Sequence, residues 1–318
     1  MSFPSSIKHL LHQKGVHPRR WLSGFFSYSR FLGYVKPQLM TGSKEEYLVR
    51  RKLLARAWEP RQLKAPIGQR ILVLSPHPDD ESIGAGGLLL AHRGLASIHL
   101  VCLCNGERGV EHFETAAAEA RAKLVETRKA EFRKTAEALQ AASVRHLDFP
   151  DGDLPFFPSA VELLQSAVAE IRPDTVLLPW FLDDQADHRW TNLLYAWACA
   201  DLDAMVLGYE VWSLLEPNAI FDITQFLSAK LALIENYQSQ LRTVDYASYA
   251  SGLARVRAYH AALSSRRSGA AEAFLVLPNA EYCEMVSDLY GVRGRIRNSG
   301  ASLLGLTPAE VLSLSKSL

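Results

Sequence analysis

The chain has no window approaching eighteen consecutive apolar residues, which excludes a membrane-spanning helix on hydropathy. Its N-terminal stretch lacks the compact apolar run and small-residue cleavage site of a secretory leader, so a cytoplasmic location is expected. Cysteine is scarce: Cys102, Cys104, Cys199 and Cys283 are the full set, and none stands in a Cys-x-x-Cys spacing. That removes a disulfide scaffold and a zinc knuckle from consideration. Cys102 and Cys104 alternate within a β-rich run and so face one way, as buried thiols. Internal repeats and low-complexity tracts are absent as well.

Acidic residues are scarce at the start of the chain. Residues 1–66 hold thirteen Lys or Arg against three Glu, a net of +10 hidden beneath an overall net charge of +1. The same segment carries Trp21, Phe25, Phe26, Tyr28, Phe31 and Tyr34, more aromatic surface than a merely solvating tail needs. Residues 1–66 are therefore expected to form a helical basic extension. It could pack on the acidic remainder of its own chain, lie on an anionic membrane surface or meet an acidic protein; nucleic acid fits least well. The chain as a whole, 318 residues with 48% hydrophobic content, is long enough to bury a sizeable core.

From Arg70 onward, short β-rich runs alternate with longer helical ones, the pattern of an α/β fold with a mainly parallel sheet flanked by helices. Strands are predicted at 71–75, 98–104, 145–149, 174–179, 206–213, 219–223 and 273–277. Helices are predicted over 88–92, with glycines at 84, 86 and 87 leading in, over 114–142 with Leu124, Ala130 and Phe132 on the buried face, over 159–171, up to about 202 and within 225–263. Ligands of such sheets bind at the carboxyl ends of the strands. The loops 76–81, 105–109 and 180–189 all follow strands and carry the chemistry, so they should converge.

The first of these loops is the most telling. Strand 71–75 runs into Ser75-Pro76-His77-Pro78-Asp79-Asp80-Glu81, releasing an imidazole and a carboxylate three positions apart. His77 and Asp80 suit a divalent metal, with Asp79 free to act as a base beside it. A catalytic zinc site typically adds a third protein ligand and an open position. His188, in the loop after the 174–179 strand, is the natural third, and His112 is its rival. Glu81 reads as a structural carboxylate at a helix start, where the dipole favours it.

These residues, with Gly84-Ala85-Gly86-Gly87, Asn105-Gly106-Glu107, Pro150-Asp151-Gly152, Asp187-His188-Arg189, Tyr209-Glu210-Val211-Trp212 and Ala271-Glu272-Ala273-Phe274, resemble the PIG-L / LmbE-like family of zinc-dependent N-deacetylases. The similarity spans about residues 70–285. The resemblance implies a Rossmann-like fold and a 67–285 deacetylase domain; beyond it, residues 286–318 are expected to form a tail packed on the domain or extending it. It implies a zinc ion, or another divalent metal such as Fe2+, on His77, Asp80 and His188, with Asp79 as general base. The implied reaction is removal of an acetyl group from an N-acetylglucosamine-type sugar or glycolipid. Arg128 and Asp151 fall where the family places sugar-hydroxyl contacts. One position departs from the pattern: Gln185 stands where the family usually has His, and an amide can donate a hydrogen bond but cannot deliver a proton. Asp187 is expected to orient His188 or Gln185, or to cap the helix that follows.

Three other functions fit parts of the pattern. One is an amidase acting on a larger acyl or thiol conjugate. Another is a non-catalytic carbohydrate-binding member, for which Gln185 is the best argument. The third is a nucleotide-sugar transferase, against which stands the lack of a Gly-x-Gly-x-x-Gly fingerprint after the first strand.

Overall fold

The computed structural model describes residues 60–109, 115–152, 154, 159–242, 244–260 and 269–290. The basic arm up to residue 59, the candidate ligand His112 and most of the C-terminal tail lie outside the described residues. Eight strands form one sheet: β1 (Arg61–Leu63), β2 (Arg70–Ser75), β3 (Ser97–Cys104), β4 (Ser143–Phe149), β5 (Thr175–Pro179), β6 (Met205–Tyr209), β7 (Ala219–Asp222) and β8 (Ala271–Pro278). Their order is β1-β7-β8-β6-β5-β2-β3-β4. Every pairing is parallel except those of β8 with β6 and β7. The mainly parallel α/β sheet expected from the alternating pattern is thus present. Its outer strand β1 lies within residues assigned by composition to the basic extension.

The strand order explains where a ligand belongs. The chain runs β2, β3, β4 toward one edge, then returns to place β5 on the other side of β2, so the switch point falls between β2 and β5. Because β2 through β6 run parallel, their carboxyl-end loops open on the same edge of the sheet.

Among the described residues, seven α-helices cover the sheet: α1 (Asp80–His92), α2 (Ala118–Ala138), α3 (Ser159–Ile171), α4 (Ala186–Ala198), α5 (Leu227–Ile234), α6 (Tyr246–His260) and α7 (Asn279–Leu289). Helix α1 starts at Asp80, directly on the carboxylate turn, and contains the glycines that were expected to precede it. All of its residues but Ala91 are buried, because the sheet lies on one side and α5 on the other. Gly84 is required by that fit: a Cβ there would stand 2.1 Å from the Tyr209 ring. On α2 the buried residues are Arg128, Phe132, Thr135 and Ala136. Ala130, expected on that face, is exposed, since a step of two from Phe132 turns it to the opposite side of the helix.

A buried ion pair ties α1 to both of its neighbours. Lys230 of α5 lies 2.6 Å from Glu272 of β8, and the Glu272 oxygens accept the Gly87 and Leu88 amides at 2.8 Å each. Removing one partner strands the other charge in the core. Lys230→Met is therefore expected to lower the unfolding free energy by about 3–5 kcal/mol in urea titration, with Glu272→Gln milder because its amide keeps one acceptor for α1.

Candidate active site

Three loops deliver the side chains. His77, Asp79 and Asp80 follow β2; Asp183, Gln185, Asp187 and His188 follow β5; Asp151 follows β4. His77 Nδ1 lies 3.3 Å from Asp80 Oδ2, and His188 Nε2 lies 3.2 Å from the same oxygen. One ligand atom from each of His77, Asp80 and His188 falls within 4.8 Å of the others, the grouping expected of a cation site. Neither ring nitrogen of His188 makes a hydrogen bond, although both are fully buried. Unpartnered buried nitrogens facing carboxylate oxygens fit a divalent metal, and the mixed N and O donors suit zinc or Fe2+.

Asp79 sits apart from that grouping in a strained backbone conformation, φ 137° and ψ −28°, a region open chiefly to glycine. Arg128 holds it there. Its Nη2 donates to Asp79 Oδ2 at 3.0 Å and to the Pro78 carbonyl at 2.7 Å, while Nη1 donates to the Gly106 carbonyl at 3.1 Å. Burial pushes the Asp79 carboxyl up to about 7, with the Arg128 charge pulling the other way and Asp80 adding to the rise. Such a value matches a base working near neutrality.

The neighbouring charges behave differently. Burial alone would raise Asp80, but His188 and His77 outweigh it and hold the carboxylate well below its usual range. Burial opposes charge on His77, and the bonds to Asp187 and Asp80 more than offset it, raising the imidazole. His188 is likewise desolvated yet pushed up to about 9 by Asp80 and Asp183. Carboxylates thus dominate the electrostatics of the site.

The remaining expected residues are placed as follows. Asp187 faces Gln185, one of the two partners expected of it, rather than the His188 ring; its Oδ2 lies 3.2 Å from His77 Nε2 and accepts the Gly152 amide at 2.8 Å. The His188 ring is faced instead by Asp183, whose Oδ1 stands 3.3 Å from Nδ1. Nor does Asp187 cap α4. Gln185 does, its Oε1 accepting the Asp187 and His188 amides. Asp151 spends both oxygens on the backbone of the loop after β3, accepting Gly106 at 2.8 Å and Arg108 at 3.0 Å. Glu81 is fully buried and bonded by Tyr237, Ser82 and Ser75, a structural role as expected.

Two features escaped the sequence reading. Asp183 is wholly buried and also accepts the Trp212 and Ser213 amides at 3.0 and 3.2 Å, fastening the loop after β6 to the site. Its signal was the Asp183-Asp184 pair, whose first member stands five residues before His188. Trp212 is 47% exposed and meets the Tyr246 ring edge-on at 5.8 Å, forming an aromatic shelf.

Similarity to known proteins accords with this geometry. The family model described as PIG-L, GlcNAc-PI de-N-acetylase, matches residues 72–199, which bears out the resemblance to the PIG-L / LmbE-like family. The diacetylchitobiose deacetylase of Thermococcus kodakarensis is 25% identical over 219 residues, covering 63% of this chain and 80% of that protein. In fold, the chain resembles the N,N'-diacetylchitobiose deacetylase of Pyrococcus horikoshii, with a TM-score of 0.57 and 21% identity over 76% of this chain and 95% of the other. It also resembles GalB, the 4-carboxy-2-hydroxymuconate hydratase of Pseudomonas putida KT2440, with a TM-score of 0.54 and 23% identity over 66% of this chain and 96% of that one. A hydratase and a deacetylase share this architecture, so the reaction must be read from the site.

The strain at Asp79 can be measured apart from its chemistry. Asp79→Gly and Asp79→Ala both strip Arg128 of its carboxylate, but only glycine accepts the backbone freely. The glycine variant is expected to be the more stable of the two by about 1 kcal/mol in denaturant titration.

Proposed function

We propose that this PIG-L / LmbE-like chain is a metal-dependent N-deacetylase acting on an N-acetylated amino sugar. The observation that carries the proposal is a buried, Arg128-tethered Asp79 set beside the His77, Asp80 and His188 grouping. The curated relative from T. kodakarensis, which acts on diacetylchitobiose by its name, supports the substrate class. When bound by His77, Asp80 and His188, a zinc or ferrous ion supplies Lewis acidity, which acidifies a water and offsets the charge that grows on the acetamide oxygen.

The chain's own groups do the rest. Arg128 occupies Asp79 Oδ2, leaving Oδ1 to take a proton from the attacking water. The C–N bond breaks as the same carboxyl returns that proton to the leaving amine, giving acetate and a free amino sugar. Gln185 spends its oxygen on the α4 cap, and its amide NH2, which lies beside the Asp187 carboxylate, keeps a second N–H to donate to the oxyanion. Asp187 and Asp183 fix the two imidazoles from behind. Asp151 and Arg128 act by holding the loop at 106–108 rather than by reaching a sugar hydroxyl. The Trp212 and Tyr246 shelf offers a flat apolar face to the sugar ring beyond the acetamide. No described helix is long and apolar enough to cross a membrane. Peripheral membrane contact through residues 1–66, a lipid-linked acceptor and a cytoplasmic setting belong to the same proposal and rest on composition alone.

Three measurements test these assignments. Purified protein is expected to carry close to one zinc or iron per chain, and His77→Ala to lose it. Asp79→Asn should keep the metal while acetate release from N-acetylglucosaminyl compounds falls roughly 10²- to 10⁴-fold; wild-type protein without metal or without acetate release would overturn the proposal. Trp212→Ala should raise KM for an N-acetylated disaccharide on the order of tenfold with kcat little changed. An unchanged KM would remove the shelf from the substrate path.

A further inference from the structure

His77 has two working edges. Its Nδ1 faces Asp80, and its Nε2 faces Asp187 on the other side of the ring. Beyond that second edge a different donor set converges. One ligand atom from each of His77, Cys104 and Asp151 lies within 4.8 Å of the others, the same spacing met by His77, Asp80 and His188.

Local structure brings these residues together. Cys104 is the last residue of β3 and is 1% exposed. The register of β3 with β4 shifts between Cys102 and Cys104, Cys102 opposing His146 and Cys104 opposing Phe149, so β4 holds one extra residue. Asp148 takes a φ of 59° within that shift. Such bulges re-aim side chains beside functional sites. Here the shift sets Asp151 against the loop after β3. Its oxygens accept the Gly106 and Arg108 amides, and each keeps a lone pair.

A separate observation points to a ligand. Asp187 is 1% exposed, and its Oδ1 is buried with no hydrogen-bond partner, although Oδ2 is engaged by Gly152 and His77. An unpartnered carboxylate oxygen in the interior is costly, and a cation would satisfy it.

We propose that His77, Cys104 and Asp151 form a second site for a thiophilic divalent cation such as zinc or cadmium, with the Asp187 carboxylate as the negative charge beside it, in competition with the first site for His77. The competition rests on the proposed role of His77 in the first site; the existence of the second does not. On binding, the Cys104 S–H bond breaks, its proton leaves to solvent and a sulfur–metal bond forms, with no change of oxidation state. A neutral imidazole carries one ring proton and offers one nitrogen to a metal. His77 therefore serves one ion at a time, and an ion in the second site leaves the first with Asp80 and His188. Soft thiolate ligands favour zinc and cadmium over harder ions. Excess zinc should accordingly inhibit.

Cobalt reports the two sites separately, since only one contains sulfur. Metal-free full-length protein titrated with Co2+ is expected to show visible d–d absorption, and a thiolate-to-cobalt charge-transfer band in the near ultraviolet as the second site fills. Cys104→Ser should lose the charge-transfer band and keep the d–d absorption. Asp187→Asn should weaken the band's midpoint on the order of tenfold. His188→Ala should impair the first site and retain the thiolate band, which separates failure of the first site from failure of the second. Saturation with cobalt without a thiolate band, or a band unchanged in Cys104→Ser, overturns the proposal. With zinc as the probe, loss of inhibition by excess metal in Cys104→Ser supports it, and inhibition identical to wild type counts against it.

Discussion

The buried guanidinium of Arg128 is the constraint on which the site depends. It reaches from α2 to the carbonyls of Pro78 and Gly106 and to the Asp79 carboxylate, joining the loops that follow β2 and β3. The same side chain demands glycine around it: a Cβ at Gly106 would stand 2.8 Å from its Nε, and one at Gly109 3.0 Å from its Nη1. From this point the ties close into a ring. Gly106 is held by Asp151 after β4, Gly152 is held by Asp187 at the start of α4, and Asp187 returns to His77 after β2. Parallel strands do not tie their own loops together, so side chains bonded to backbone groups must do it. The strained Asp79 persists because the ring over-determines it.

Electrostatics decides what such a ring can hold. Asp79, Asp80, Asp151, Asp183 and Asp187 are all buried around two imidazoles, and the Arg128 guanidinium is ion-paired with Asp79. In a low-dielectric setting that imbalance is met either by protonation or by a bound cation. The structure carries signs of both. Asp79 is raised toward neutrality, while Asp80 stays ionised between His77 and His188. Two carboxyl groups adjacent in sequence are thus driven apart in acidity, one suited to moving a proton and the other to holding charge. Adjacency in the chain does not make them alike, because Asp80 opens α1 and faces the histidines whereas Asp79 turns back toward α2.

Much of this was legible in the sequence where periodicity and chemistry reinforced each other. The apolar run at 71–75 and the almost wholly apolar run at 174–179 became the two strands flanking the switch point, and the histidines after them came together. Side-chain roles that depend on long-range contacts were not legible. Arg128 carries no local sign that its charge faces inward from an otherwise polar helix. Asp151 looked like a sugar-hydroxyl contact, but its oxygens serve amides more than forty residues away. Asp183 was given no role and Asp187 was set against His188 or Gln185, because spacing before and along α4 cannot say which imidazole each carboxylate meets. Ala130 was misassigned by a helix whose polar composition hides its phase.

Gln185 shows how a local rule can outweigh a functional expectation. A side-chain acceptor at a helix N-cap satisfies amides that otherwise have no partner. Gln185 satisfies those of Asp187 and His188, the two residues of α4 that face the site. An imidazole in that position would bring one acceptor nitrogen at most, and only when deprotonated. The glutamine therefore gives α4 a cap that does not depend on pH, and with it a fixed placement of His188 against Asp80. The same choice gives up proton transfer from that side of the site. On the proposed reaction the proton taken from water must return through Asp79, which is the carboxyl that burial has already raised to about 7 and that keeps one oxygen clear of Arg128. The cap on α4 and the strain at Asp79 are in this sense two parts of a single arrangement, one side of the site rigid and proton-inert, the other holding the one group able to carry a proton both ways.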